Sequence, residues 1–381
     1  MHLPALVYLS AAVGSAAGRA FWPKRTSTEV TFRNETEGKL GDRPVVSAPP
    51  GGCPPFDRGN FSIDAYQLYP ENMDWDAELC QVYIGILFNG SFGIYDPYSD
   101  KLDVVRFPGY SLNAAIHMGG VGWDAHTGLA SAIVGQGNAF NTAGAVVGGD
   151  NLLKKYDPRT RAVVWTVNLT VTTQGAYGGF NDVAHDPAGN TYVCGTFPSS
   201  ILRVDARGTH AAAWYPPAEP VDHTVRGFSG IVAHGSTLVA LDSGTSRLVR
   251  FDATAATAGP GVVVPVTPNV SIAGGDAIHL PAKFGGRVML VAEHAAGVAV
   301  LRSRGGDGDA SWTAAEHLGV VPNPVAALPP GALVVSTTQI GDRLYIVNDW
   351  FADPVVSGTV AGNKTAFPMF DITRQIDELL H

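Results

Sequence analysis

Short runs of β-branched and aromatic residues, each bounded by Gly, Pro or Asn, fill most of this chain, as short strands require. Four such runs follow one another at residues 181–184, 191–194, 201–205 and 210–215, the first two separated by the turn Pro187-Ala188-Gly189-Asn190. The series recurs at 229–233, 237–241, 247–252 and 262–266, and again at 276–280, 288–292, 298–302 and 312–318. A bulky apolar residue followed by Asp marks one place in most series: Tyr95-Asp96, Tyr156-Asp157, Val204-Asp205, Phe251-Asp252 and Phe370-Asp371. Asp157 to Asp205 is 48 residues and Asp205 to Asp252 is 47. A period of ~40–50 residues holding four short strands predicts an all-β chain, a β-propeller with one period per blade.

Six periods can be counted. The first aligns on the third without a gap, since Asn72 to Asp96 and Asn181 to Asp205 each span 24 steps. The second, 119–169, carries a Gly/Asn-rich insertion at 135–151; the fifth lacks the Asp tag, and the sixth covers 333–371. Residues 373–381 read as a helix, so the sixth blade lacks an outer strand of its own. An N-terminal segment, 30–33 or 63–68, is therefore expected to close the ring and remove its open edge. The expected organisation is a leader at 1–20, an N-terminal arm with the closing strand at 21–71 and a single six-bladed propeller at 72–381.

Composition narrows the partners. The net charge is −9, without any Lys/Arg cluster, which argues against nucleic acid and anionic membranes. Residues 3–13 form an apolar stretch too short to span a bilayer and are followed by small residues, so a secretory leader cleaved after Gly18 or Ala20 is expected, with no membrane insertion. Six N-x-[ST] sequons, at Asn34, Asn60, Asn89, Asn168, Asn269 and Asn363, fit a glycosylated secretory protein. An oxidising compartment favours a Cys53–Cys80 disulfide tying the arm to the propeller. Cys194 sits in an apolar strand and reads as a buried thiol.

In a blade, the innermost strand starts and the second strand ends on the same face of the disc. Residues at those points are candidates to line the central funnel. The first set holds His117, Gly120, Asn181, Ser229, Asp276 and Ser336; the second holds Asn89, Gln136, Thr196, Asp242, Glu293, Asn348 and Asp349. Tyr177, Phe180, Phe228 and Trp350 lie beside them as candidate apolar walls. Aromatic walls with a few placed polar groups suit a pocket for small apolar or aromatic substrates. Strand-end Asp and Asn also serve simply to bond nearby backbone amides. The Asp tags read as blade turns, and His185, His234 and His279 as structural groups at the opposite face. His117 and His126 are the histidines placed to carry a proton. Asp242, Asp276 and Glu293 are candidates for a structural divalent cation; no other cofactor is expected.

Two resemblances follow from particular residues. Over most of 72–371 the chain resembles six-bladed propellers of the gluconolactonase and strictosidine-synthase type. Phe180-Asn181-Asp182 and Leu241-Asp242-Ser243 look like the Asn and Asp elements of the gluconolactonase-like metal site. The other two ligand positions, a Glu in the first blade and an Asn in the second, find no match, and Gly119-Gly120 occupies the latter. Asn72-Met73-Asp74-Trp75-Asp76-Ala77-Glu78-Leu79-Cys80, with Tyr83 and Tyr95-Asp96-Pro97-Tyr98, resembles the N-terminal hallmark of secreted-type propellers of fungal natural-product clusters. That group includes a trichothecene-cluster protein and the hetero-Diels–Alderases of tropolone–sesquiterpenoid pathways.

The second resemblance implies a cofactor-free cyclase that joins a humulene-type alkene to a tropolone o-quinone methide, formed by loss of water from a hydroxymethyl precursor. Phe228, Trp350 and Tyr177 would then clamp the rings and Asn181 or Asn348 would donate to the enone oxygen. Asp242, Glu293 or His117 would move the proton, and Asp276 and Asp349 would complete the substrate site. A metal-dependent lactonase or esterase, or a non-catalytic secreted binding propeller, are the alternatives.

Overall fold

The computed structural model describes residues 28–34, 46–49, 51–306, 311–324, 328 and 331–381. The middle strands explain the hydrophobic runs. Each blade is covered on both faces by its neighbours, so a strand such as Thr191–Phe197 is buried at every residue rather than alternating. The six innermost strands are Pro70–Asp76, Ile116–Asp124, Gly178–His185, Phe228–His234, Ile278–His279 and Leu333–Ile340. Each packs against the next and the last returns to the first, which closes a ring around a channel. The chain is a six-bladed, nearly all-β propeller, as the period predicts.

Ring closure uses the N-terminal arm in two ways. Phe61–Ile63 pairs antiparallel with Phe367–Asp371 and completes the sixth blade. Only Ile63 of the expected 63–68 segment belongs to that strand. The other candidate lies elsewhere: Glu29–Asn34 adds a fifth, parallel strand to the outer edge of the first blade, along Lys101–Arg106. Phe61 is buried and meets Tyr345 edge-to-face at 5.2 Å and Phe56 at 5.8 Å, so the closing strand is held by a core cluster as well as by its ladder. The fifth blade also departs from expectation. Its last strand is Ala315–Pro322, because Trp312 takes a left-handed conformation (φ 57°) and gives its indole N–H to Gly286 O instead of pairing. Val266–Thr267 crosses to run parallel beside Ala315–Pro322.

The Asp tags act as turns. Asp96 accepts the Tyr98 and Ser99 amides, Asp157 those of Arg159 and Thr160, and Asp252 that of Thr254. The Cys53–Cys80 disulfide is formed, and Cys194 is a buried free thiol. The C-terminal helix spans Thr373–Leu380. No helix among the described residues is long and apolar enough to cross a membrane. The leader and its cleavage site lie outside the described residues. Asn34, Asn60, Asn269 and Asn363 are exposed. Asn89 instead gives its amide to Gln67 O, and the Asn168 side chain accepts from Val171 N at the start of helix Leu169–Thr173.

One irregularity sets up the channel. The ladders of the inner strands skip between Pro70 and Met73, Met118 and Val121, Phe180 and Asp182, Phe228 and Gly230, and Val334 and Ser336. A bulge of this kind leaves the extra residue unpaired and re-aims its side chain. The skipped positions are Glu71 and Asn72, Gly119 and Gly120, Asn181, Ser229, and Val335. At Gly120 a side chain is impossible without rearrangement: a Cβ there would stand 2.7 Å from Asn181 O and 2.8 Å from the Asp182 Cα.

Candidate functional site

A pocket of about 420 Å³ opens at the channel end where the inner strands begin, within the range of small-molecule sites. The bulges deliver Glu71 and Asn181 to it, and Asp276 stands at the corresponding place in the fifth blade. His117 and Gln136 line it from the second blade. Its apolar wall is built by Phe88, Phe140, Phe180, Phe197 and Phe351. Phe140 comes from the 135–151 insertion, which contributes the short helix Asn138–Asn141 and packs edge-to-face on Phe197 at 5.6 Å.

Three polar contacts shape the interior. Asn181 Nδ2 donates to Ser229 O at 2.7 Å, leaving its second amide hydrogen for the pocket. His294 Nε2 lies 3.1 Å from Asp276 Oδ2. The His117 ring meets Phe88 edge-to-face at 5.6 Å, and burial lowers its pKa, favouring neutral imidazole. Arg226 brings a guanidinium to the rim, with Nε donating to Ser243 Oγ at 2.9 Å.

Glu71 has the most altered chemistry in this pocket. Burial first, and then the nearby carboxylates Asp276, Asp182 and Asp349, raise its pKa well above the ordinary glutamate value. A carboxyl group so placed holds its proton to higher pH than an ordinary glutamate and is a candidate acid.

The sequence-predicted residues divide sharply. His117, Asn181 and Asp276 converge on the pocket. Asp242, Glu293, Tyr177, Phe228, Asn348, Asp349 and Trp350 do not line it. Asp242 turns aside to accept the Thr245 amide. Phe228 belongs to an inter-blade cluster with Tyr215 and Phe251, and Tyr177 is buried between the second and third blades. Trp350 lies in the core under Phe367 and beneath the Lys364 ammonium, 4.3 Å from its ring. Glu293 is buried, which raises its pKa, and Asn348 is buried with neither amide atom hydrogen-bonded. Asp349 is fully buried; Oδ1 accepts the Trp350 amide, Oδ2 has no partner, and burial pushes the carboxyl up to about 8. Asp242, Asp276 and Glu293 do not gather into a cation site: among the described residues no group of three or more His, Cys, Asp or Glu could hold a metal ion.

Glu71, His294 and Arg226 were not legible as site residues, and Glu71 shows why. Glu71 in the first blade and Asn181 in the third face the same cavity, and their followers Asn72 and Asp182 are hydrogen-bonded to each other. Yet Glu71 stands 25 residues before Asp96 (96 − 71) and Asn181 stands 24 before Asp205 (205 − 181), so counting back 24 from Asp96 stops at Asn72, one position short of Glu71.

The floor of this pocket is one residue thick. Glu71, Asn181 and Asp276 face the upper cavity, whereas their followers Asn72, Asp182 and Ala277 line a second cavity entered from the other face. Asn72 Nδ2 donates to Asp182 Oδ1 at 3.0 Å and bridges the floor.

Fold and site together define a six-bladed β-propeller with an aromatic-walled, carboxyl-bearing pocket at one end of its channel. No protein-family model matches the chain. Trichothecene biosynthesis protein 14 of Trichoderma arundinaceum is 32% identical over 346 residues, covering 86% of this chain and 92% of that protein. Core trichothecene cluster protein 14 of Fusarium sporotrichioides is 32% identical over 349 residues, covering 87% and 89%. The chain belongs to this family, whose members named here are secondary-metabolite cluster proteins. Among solved structures, the major allergen Mala s 1 of Malassezia sympodialis superposes with a TM-score of 0.68 at 20% identity, over 83% of this chain and 96% of that one. A luciferin-regenerating enzyme superposes with a TM-score of 0.52 at 14% identity, over 82% and 95%. These two likenesses show the fold.

Proposed function

We propose that the chain is a cofactor-free, dehydrating cyclase of fungal secondary metabolism, acting as a hetero-Diels–Alderase that joins a humulene-type alkene to a tropolone o-quinone methide. The carrying observation is a glutamate inside an aromatic-walled pocket, with burial raising its pKa well above the ordinary value. Protonated Glu71 gives its proton to the hydroxyl of a hydroxymethyl precursor; the C–O bond breaks and water leaves. The proton of the neighbouring ring hydroxyl returns to the Glu71 carboxylate, which restores the acid and leaves the neutral quinone methide. One C–C and one C–O bond to the alkene then form without a nucleophile or redox partner. Phe88, Phe140 and Phe180 hold the two partners face to face, which lowers the entropic barrier. The free amide hydrogen of Asn181 polarises the heterodiene oxygen. Membership of a family with relatives named for trichothecene biosynthesis supports a terpenoid as one partner.

The test is to incubate the purified protein with the hydroxymethyl tropolone and the alkene and to follow product by chiral chromatography. The reading predicts faster formation of one enantiomer, unchanged after chelator treatment. Binding without turnover, or turnover abolished by the chelator, contradicts it. The same reading has the protein secreted and glycosylated at the exposed Asn34, Asn60, Asn269 and Asn363, with Asn89 and Asn168 left bare; peptide mass spectrometry with and without deglycosylation checks this.

A further inference from the structure

We infer that the outer edge of the first blade is a self-association surface, on which a second copy of the chain pairs antiparallel about a two-fold axis. Closing the ring still leaves each blade with an outer strand whose free side offers unpaired N–H and C=O groups. Most of these edges are blunted. Phe61–Ile63, Val262–Val263 and Val266–Thr267 have only two or three residues. Ala162–Asn168 skips Val164 in its ladder, and Ala211–Tyr215 skips Trp214, so each carries a bulge. Among the described residues, Glu29–Asn34 alone is an outer strand six residues long with an unbroken register. Its centre, Val30-Thr31-Phe32, is made of strong strand formers, and Phe32 is 59% exposed. The strand contributes to neither channel cavity.

The existing ladder decides how a second copy can join. Glu29 N donates to Asp100 O at 3.1 Å, so odd-numbered residues bond to Lys101–Arg106, and the amides and carbonyls of Val30 and Phe32 point to the free side. An antiparallel partner must therefore set even residues against even residues. With Val30 opposite Phe32 of the second copy, each such pair exchanges both backbone hydrogen bonds. Thr31 then faces Thr31 of the second copy on the axis, and Glu29 faces Arg33. Sliding the register by one pleat in either direction loses both charge pairs. Behind these residues, Lys101 Nζ meets Glu29 at 3.0 Å, and Asp103 accepts from Arg33 Nε at 2.9 Å and lies 3.5 Å from Arg161. The signs therefore alternate across the ribbon, Lys101, Glu29, Arg33, Asp103. Opposite charges, a Thr–Thr pair and a Val–Phe pair are all favourable cross-strand neighbours, so this strand is complementary to itself.

Six residues a side make a small interface, so the dimer should come and go with concentration. The test is analytical ultracentrifugation of the full-length, deglycosylated protein, where dimer should grow in between about 1 and roughly 100 µM. Thr31→Lys keeps the strand docked, because Asp103 stands opposite it on the adjacent strand, but sets two ammonium groups face to face on the axis. It should weaken association about tenfold or more, with Tm unchanged. Thr31→Cys reads the register. Directly opposed residues of a non-hydrogen-bonded pair have Cα atoms about 4.5 Å apart, within disulfide reach, so mild oxidation should give a covalent dimer. Glu29→Cys, which faces Arg33, should stay uncrosslinked. A protein that remains monomeric across the concentration range overturns the proposal. So does a dimer that Thr31→Lys leaves intact, or a Thr31→Cys variant that does not crosslink.

Discussion

The two ends of one channel are built from adjacent residues of the same strands, yet they carry different chemistry. At the upper end, bulged residues present Glu71, Asn181 and Asp276 among phenylalanines. At the lower end, the next residues, Asn72, Asp182 and Ala277, line the second cavity, and Asn72 is hydrogen-bonded to Asp182 across the floor. A one-residue bulge therefore separates a reactive surface from a structural one, because it decides which of two neighbouring side chains is free of the ladder. Carboxyl groups illustrate the point. Asp182, pushed up to about 7 mainly by burial, accepts amides from Asn72, Val183 and Ile231 and joins three blades. Glu71, one layer above, has its pKa raised well above the ordinary value, chiefly by burial.

The largest effect should come from breaking the shared floor. Asp182→Ala leaves the Asn72 amide and the Ile231 N–H buried and unpaired, at roughly 1–3 kcal/mol for each group. Urea unfolding should show a loss of several kcal/mol, whereas Asp242→Ala, at an exposed turn, should change stability by less than about 1 kcal/mol. Equal losses would mean that the floor does not hold the ring together.

Asp349→Asn sharpens the electrostatic side. The Asp349 carboxyl titrates near its ordinary value when unfolded and at about 8 when folded. The folded state then binds the extra proton between those values, so stability falls as pH rises from roughly 4 to 8, at up to about 1.4 kcal/mol per pH unit for one such group. The asparagine variant should lose that slope and be the more stable protein at pH 8, with little difference at pH 4. Denaturant midpoints across this range check the sign.

A smaller effect is expected on the upper wall. Phe140→Ala, in the insertion and exposed on one side, should lower turnover about tenfold through looser positioning of substrate while stability changes little. Trp123→Phe at the lower end should leave turnover alone.

The architecture was legible because the Asp tags have a local cause. A carboxylate that caps its own turn leaves a mark at fixed spacing, so five blades are marked by Asp96, Asp157, Asp205, Asp252 and Asp371, and the untagged fifth period makes six. Closure was legible only in outline, since 29–34 and 61–63 are both short strands and neither pattern says which edge it joins. The site was legible in part. His117, Asn181 and Asp276 follow from the starts of inner strands. The second-strand ends misled, because Asp242 folds back on its turn and Glu293, Asn348 and Asp349 are buried behind the inner strands. Glu71 was hidden because it stands one residue further from its Asp tag than Asn181 does from its own, a phase shift that leaves composition unchanged.

The central claim is that Glu71 is the proton donor of the upper pocket, and the pH dependence of turnover in Glu71→Gln tests it most directly. Because burial raises the Glu71 pKa well above the ordinary glutamate value, wild-type turnover should persist above the usual glutamate range and fall as pH rises through the Glu71 titration. Glu71→Gln should lower the rate roughly 10²- to 10⁴-fold and abolish that alkaline limb, with folding intact. Asp349→Asn should retain the limb, which separates Glu71 from a second buried acid with a raised pKa. A Glu71→Gln variant that keeps wild-type rate, or the same alkaline limb, would contradict the account.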